Sequence, residues 1–226
     1  RLSSEPLMLS LHPIAAVATV VQGERITAVD YEATTHQPVQ LAVSGGNKYP
    51  RKAVASDDRL FVFDGQAIDI YGTSHSTAPV HIHAMPAAGA IDLAVSSTAL
   101  YVLFGDGEVA SYTQSGTRLA STTIDEGSDM VALGIVTVRN TPWVSISRGC
   151  LSTGCEELTA VLEPVSLIPT ATLAGGINDI AVSGNVAYAL VDLPPDTELR
   201  SYSVADALHP ALINSRPAEE SAAVAA

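Results

Sequence analysis

The chain is short of cations, cysteine, aromatics and long apolar runs, and each shortage closes off a class of function. Lys and Arg together number 11 against 24 Asp plus Glu, for a formal net charge of −13. Nucleic-acid binding needs clustered cations to neutralise phosphates, and no basic stripe is present. The same deficit disfavours docking on an anionic membrane surface, while an acidic surface suits solubility and a cationic partner. No apolar run approaches the roughly eighteen to twenty residues of a spanning helix, so no direct membrane span is expected. Aromatics make up 5% of the chain and apolar residues 47%. The core must therefore be built from Val, Ala, Leu and Ile, and β-branched residues suit pleated, buried strands.

Catalytic signatures are missing as well. There is no Gly-x-Ser-x-Gly, His-Glu-x-x-His, phosphate loop or dinucleotide fingerprint, so neither a catalytic residue nor a cofactor is expected. The acidic pairs Asp57-Asp58 and Asp125-Glu126 read as turn residues, since no EF-hand pattern surrounds them.

The two cysteines, Cys150 and Cys155, lie in Arg-Gly-Cys-Leu-Ser-Thr-Gly-Cys-Glu, and two readings stay open. A disulfide closing a small hairpin loop fits an exported protein. The other reading is free thiols or half of a metal site, although zinc would need two more ligands and no Cys–His pair at finger spacing is available. The chain starts at Arg1 without a Met and carries no signal peptide, which fits a processed N-terminus and a removed export signal. A periplasmic or extracellular location is the expectation.

What the chain does have is short apolar runs between polar turns. From Lys52 to Met85 these are Ala53–Ala55, Leu60–Phe63, Ala67–Tyr71 and Val80–Met85. Each is too short for a helix, and Asp, Gly, Ser and Pro punctuate them, so the stretch reads as four antiparallel strands. The unit recurs at about forty residues, the mark of a propeller blade. Repeats are expected at about 14–44, 53–85, 91–124, 130–173 and 177–215. Residues 1–13 hold a candidate closing strand, Leu7–Leu11, and 216–226 read as a flexible tail.

Two features hold this register. First strands end alike, in Ala-Val-Ala-Ser at 53–56, Leu-Ala-Val-Ser at 93–96 and Ile-Ala-Val-Ser at 180–183. Prolines mark the start of last strands, and the interval from Pro38 to Pro79 equals that from Pro169 to Pro210. Proline donates no backbone hydrogen bond, so it suits an outer edge strand.

The third strand, its loop and the final Pro recur as Ile-Thr-Ala-Val-Asp-Tyr-Glu-Ala-Thr-Thr-His-Gln-Pro-Val (26–39), Ala-Ile-Asp-Ile-Tyr-Gly-Thr-Ser-His-Ser-Thr-Ala-Pro-Val (67–80) and Leu-Arg-Ser-Tyr-Ser-Val-Ala-Asp-Ala-Leu-His-Pro-Ala (199–211). This resembles the LVIVD-repeat family of bacterial β-propellers, in which an apolar-Asp-apolar strand end leads into a Ser-Asp-Pro-x-x-Pro loop. Val204-Ala205-Asp206 with Pro210 matches best. The first Pro of that loop is absent from all three copies, and repeats three and four match poorly. The resemblance implies the fold and supplies no catalytic residues.

Candidate sites are few. His81 and His83 stand at i and i+2 on one strand and are expected to share a face; with His75 they could form a metal site. Asp92 and Asp179 take equivalent places before first strands, with Asp129 one residue off and Lys52 matching in repeat two. They could ring a central channel and hold a cation, or simply cap loops. Trp143, the only Trp, is either core or a partner anchor. Arg148, in the insertion 148–156, is a further candidate partner contact.

The expected fold is all-β, a β-propeller of about five four-stranded antiparallel blades or, alternatively, part of a six- or seven-bladed ring. The expected function is a non-catalytic exported scaffold or accessory subunit that binds protein partners. The alternative is a metal-dependent, hydrolase- or lactonase-like enzyme with its site in the central channel.

Overall fold

Alternating short apolar runs and turn residues produce twenty β-strands among the residues described by the computed structural model. It describes residues 51–56, 58–72, 80–124, 130–149, 155–194 and 196–218, and the backbone of four strands before them. Every regular element among the described residues is a strand. No described helix is long and apolar enough to cross a membrane. The strands form five four-stranded antiparallel sheets, each with its strands in sequence order, and the chain divides into two compact units.

The first unit covers 1–90 together with 114–116. Its first sheet consists of β1 (Leu7–His12), β2 (Val17–Gln22), β3 (Arg25–Asp30) and β4 (Val39–Leu41). The segment Leu7–Leu11 is thus not a separate closing strand. It pairs with β2 from Leu7↔Gln22 to His12↔Val17 and begins a sheet that the expected boundary at residue 14 would have cut. The second sheet consists of β5 (Lys52–Ser56), β6 (Arg59–Phe63), β7 (Ala67–Gly72) and β8 (Val80–Pro86). Its middle strands are buried on both faces: Leu60, Phe61, Val62, Phe63, Ile68 and Ile70 are fully enclosed. Each such side chain stabilises the fold by roughly 1.5–3 kcal/mol relative to exposure. The turn from β6 to β7 is closed by Asp64, whose Oδ1 accepts the backbone N–H of Gln66 and of Ala67, both at 2.8 Å.

The second unit covers 91–113 and 117–226. Its sheets are β9 (Ala90–Val95), β10 (Ala99–Phe104), β11 (Glu108–Thr113) and β12 (Arg118–Thr123); β13 (Val131–Val138), β14 (Thr141–Arg148), β15 (Glu156–Leu162) and β16 (Pro169–Ala174); and β17 (Gly176–Ser183), β18 (Val186–Leu193), β19 (Asp196–Ser203) and β20 (Ala211–Pro217). β20 runs into the expected tail, pairing Leu199↔Arg216 and Glu198↔Pro217.

Two apolar clusters join these three sheets face to face. Tyr101, Leu103 and Val109 meet Ile135, Val144, Ile146, Ala160 and Leu162 in one. Val138, Trp143 and Val161 meet Ala187, Ala189, Val191 and Tyr202 in the other. The fourth strands of these sheets mix exposed and half-buried residues in β12 and β16, and β20 is exposed throughout. The recurrent Ser after first strands has a local cause: Ser96 Oγ accepts the N–H of Ala99 at 3.0 Å and of Thr98 at 3.3 Å, and so closes the turn into β10.

One irregularity repeats. The third and fourth strands lose register at the same step of the ladder in four sheets: between Ile70 and Tyr71, Ser111 and Tyr112, Val161 and Leu162, and Ser201 and Tyr202. Each β-bulge leaves one fourth-strand residue unpaired: Ile82, Leu119, Thr170 or Ile213. A bulge re-aims side chains locally and twists an edge away from further pairing.

Candidate binding surface

The bulge between Ile70 and Tyr71 decides where the histidines go. Tyr71 pairs with His81, Ile70 pairs with His83, and Ile82 between them is skipped. His81 therefore faces the side of Tyr71 and Asp69, and His83 faces the side of Ile70. The expectation that the two share a face fails, because the period of two holds only in an unbroken ladder. His81 Nε2 lies 2.9 Å from Oδ1 of the fully buried Asp69, and its ring meets Tyr71 edge-on at 5.2 Å. Burial, helped by the Asp69 charge, raises the Tyr71 hydroxyl well above its ordinary pKa. His83 Nε2 lies 2.7 Å from where a Cβ on Gly116 would sit. His75 falls outside the described residues.

Asp92 and Asp179 stand inside β9 and β17, not before them. The Asp92 carboxylate accepts the Leu93 N–H at 2.8 Å and, through its other oxygen, the Ile135 N–H of β13 at 2.9 Å. Asp179 accepts the Ile180 N–H at 2.9 Å. Both act as backbone acceptors, and Asp92 ties the first strands of two neighbouring sheets together. Thr137 Oγ1, donating to the Val95 carbonyl at 2.8 Å, adds a second tie. Lys52 opens β5, and Asp129 lies outside the described residues. Among the described residues no group of three or more His, Cys, Asp or Glu is placed to hold a metal ion.

Trp143 is fully buried, so it is core and not a partner contact. Its ring meets Tyr202 edge-on at 6.0 Å and its indole N–H donates to the Ala207 carbonyl at 3.4 Å. Arg148 is exposed at the end of β14, with its Nε 2.9 Å from a carboxylate oxygen of Glu156. The pair closes the last rung before the cysteine segment. Cys155 precedes β15, and Cys150 lies outside the described residues.

Sequence reading missed two arrangements. One is a buried hydroxyl chain: Ser145 Oγ accepts the Ile177 N–H at 2.9 Å and lies 3.1 Å from Thr159 Oγ1, which donates to the Gly175 carbonyl at 2.9 Å. Ser and Thr inside otherwise apolar strands were the available signal. The other is a cleft of about 190 Å³ on the last sheet, lined by Tyr188, Leu199, Arg200, Ser201, Asn214 and Arg216. Tyr188, Ser201 and Asn214 form one cross-strand row, and Leu199 and Arg216 belong to the next. This face is opposite the one carrying Ala187, Ala189 and Tyr202, which packs on Trp143. Arg216 is the cationic side chain of this face; the Arg200 side chain points to the other one, toward Ala174.

No protein-family model and no curated protein matches the sequence. Solved structures do match in shape. The complex of KlAtg21 with the coiled-coil of AgAtg16 superposes with a TM-score of 0.63 at 14% identity, over 92% of this chain and 69% of that one. The WD40 domain of Toxoplasma gondii coronin gives 0.64 at 10% identity, over 88% and 55%. The mitotic checkpoint complex gives 0.54 at 11% identity, over 94% and 80%. The chain has the β-propeller fold. Its four-stranded antiparallel sheets are the blades of that fold, and the chain spans only about half of the coronin domain's length. The propeller likeness is to WD40-type structures, where the sequence resemblance was to LVIVD repeats.

Proposed function

We propose that this propeller is a non-catalytic scaffold that holds a partner protein, as an accessory subunit of a larger assembly. One observation carries the reading. The outer strands present large aliphatic side chains to solvent, with Val80, Ile82, Leu119, Leu212 and Ile213 all between 49% and 63% exposed. Such residues on a rim suit protein contact better than chemistry on a small substrate. The side chains that would make a metal site are engaged in the fold: Asp92 and Asp179 hold backbone, and His81 holds Asp69. Two of the similar structures are propellers captured in protein complexes, one of them with a coiled-coil. The LVIVD-like loops, a family trait without catalytic residues, agree with this role.

The scaffold is exported, to the periplasm or beyond. Cys155 is disulfide-bonded and Cys150 is the other cysteine of the chain, which supports a bridge closing the 150–155 loop. Intact mass without reductant should fall short of the reduced mass by two hydrogens; free thiols in native protein would remove the export argument.

Cross-linking and mass spectrometry of the native protein in its source should find one stoichiometric partner, with cross-links at the rim strands. A monodisperse protein without a partner, carrying stoichiometric metal and hydrolysing lactones, would replace this reading with the enzymatic one.

A further inference from the structure

The cleft on the last sheet has the chemistry of an anion site in a molecule that is otherwise acidic. Among the described residues no carboxylate pairs with Arg216, which is exposed at the edge. Arg200 is the next position on β19 after Leu199 but sends its side chain to the opposite face, where its Nε lies 2.9 Å from Glu198 and its guanidinium donates to the Ala174 carbonyl at 2.7 Å. Arg216 thus brings one unbalanced positive charge to this face. That charge fits a singly charged carboxylate better than a doubly charged phosphate. The Tyr188 hydroxyl, the Ser201 hydroxyl and the Asn214 side-chain amide line the same cleft and can donate to a carboxylate's oxygens. Leu199 and the half-exposed Tyr188 ring give it an apolar wall.

The cleft also borders a free strand edge. β20 is the last strand of its sheet and is exposed at every residue. An extended segment laid beside it would bond to the unpaired backbone groups, and its alternate side chains would stand next to Asn214 and Arg216. Opposite charges across such a pair are favourable.

We infer that the Tyr188–Asn214–Arg216 cleft receives an Asp or Glu carboxylate from an extended acidic segment of a partner protein lying along β20. The inference names a contact within the scaffold reading and rests on it for the nature of the partner.

Fluorescence polarisation with a labelled acetyl-Ser-Leu-Asp-Val-Ser-amide peptide tests this, using its Asn twin, its phosphoserine twin and inorganic phosphate as comparators. The Asp peptide should bind saturably at up to millimolar concentration. Arg216→Ala should weaken it by about tenfold, Arg216→Lys by less, and added salt should weaken it progressively. Arg216 is exposed, so unchanged circular dichroism and melting of the variants will show that the fold persists. Equal binding of the Asp and Asn peptides, indifference to Arg216→Ala, or no binding would overturn the inference. Tighter binding of the phosphoserine twin or of phosphate would overturn it in favour of a phosphate site. A native partner whose binding is unaffected by Arg216→Ala would sink the cleft and leave the scaffold standing. Peptide binding in a protein with no native partner would do the reverse.

Discussion

The imidazole of His81 and the carboxylate of Asp69 meet at 2.9 Å, one two-fifths exposed and the other wholly enclosed. The contact fastens the outermost strand of the second sheet, β8, to its buried neighbour, β7.

His81→Phe should keep the edge-on ring against Tyr71 and remove the bond to Asp69. We expect a loss of about 1–2 kcal/mol in urea unfolding, with the slope unchanged. A stability equal to the parent would mean that Asp69 is held by its other contacts alone.

Trp143→Phe should cost about 1–2 kcal/mol and Trp143→Ala about 3–5 kcal/mol, because a fully enclosed indole leaves a large void. As the only Trp, it also reports its own surroundings. Emission should be blue-shifted and resist acrylamide quenching in the native protein. Ready quenching would contradict its burial.

Gly175 joins β16 to β17 with φ at +93°, and a Cβ there would collide with the Val191 side chain and lie 2.7 Å from the Asp192 carbonyl. Gly175→Ala should therefore destabilise by about 1–3 kcal/mol or more. It should act mainly on the third sheet of the second unit, as read by hydrogen exchange in β17 and β18. Uniform loss of protection across all sheets would argue against a local origin.

Glu157 has its carboxyl pushed above the ordinary range by burial, with the nearby Asp192 charge adding to the effect. A carboxyl raised in the folded state favours folding more when protonated, so its contribution worsens as pH rises through the unfolded and then the folded pKa. Glu157→Gln should thus raise the melting temperature slightly at neutral pH, by less than about 1 kcal/mol equivalent. The gain should vanish below the carboxylate range. A gain that grows on acidification would reverse the assignment.

The sheet count and the strand order were legible because the punctuation is chemical. Asp64 and Gly65 must turn the chain, Gly107 takes a positive φ between β10 and β11, and Ser96 closes a turn with its own hydroxyl. Strand β1 was not placed, because Leu7–Leu11 is an apolar run whose partner only tertiary pairing reveals. The histidine geometry was misjudged for a related reason: His81, Ile82 and His83 alternate perfectly on paper, and a bulge is invisible in alternation. Asp92 and Asp179 were found as a pair, yet their roles depend on which N–H groups lie within reach. Arg216 was hidden in an Ala- and Glu-rich end that carries no strand pattern.

Thr170 stands where the other three sheets place Ile82, Leu119 and Ile213. Its hydroxyl lies within donating distance of the Val161 carbonyl, at 3.2 Å, and of the Leu208 carbonyl ahead of β20, at 3.0 Å. The same off-ladder position therefore serves two ends: an oily knob turned to water in three sheets, and in the fourth a polar clasp that fastens one sheet to the loop of its neighbour.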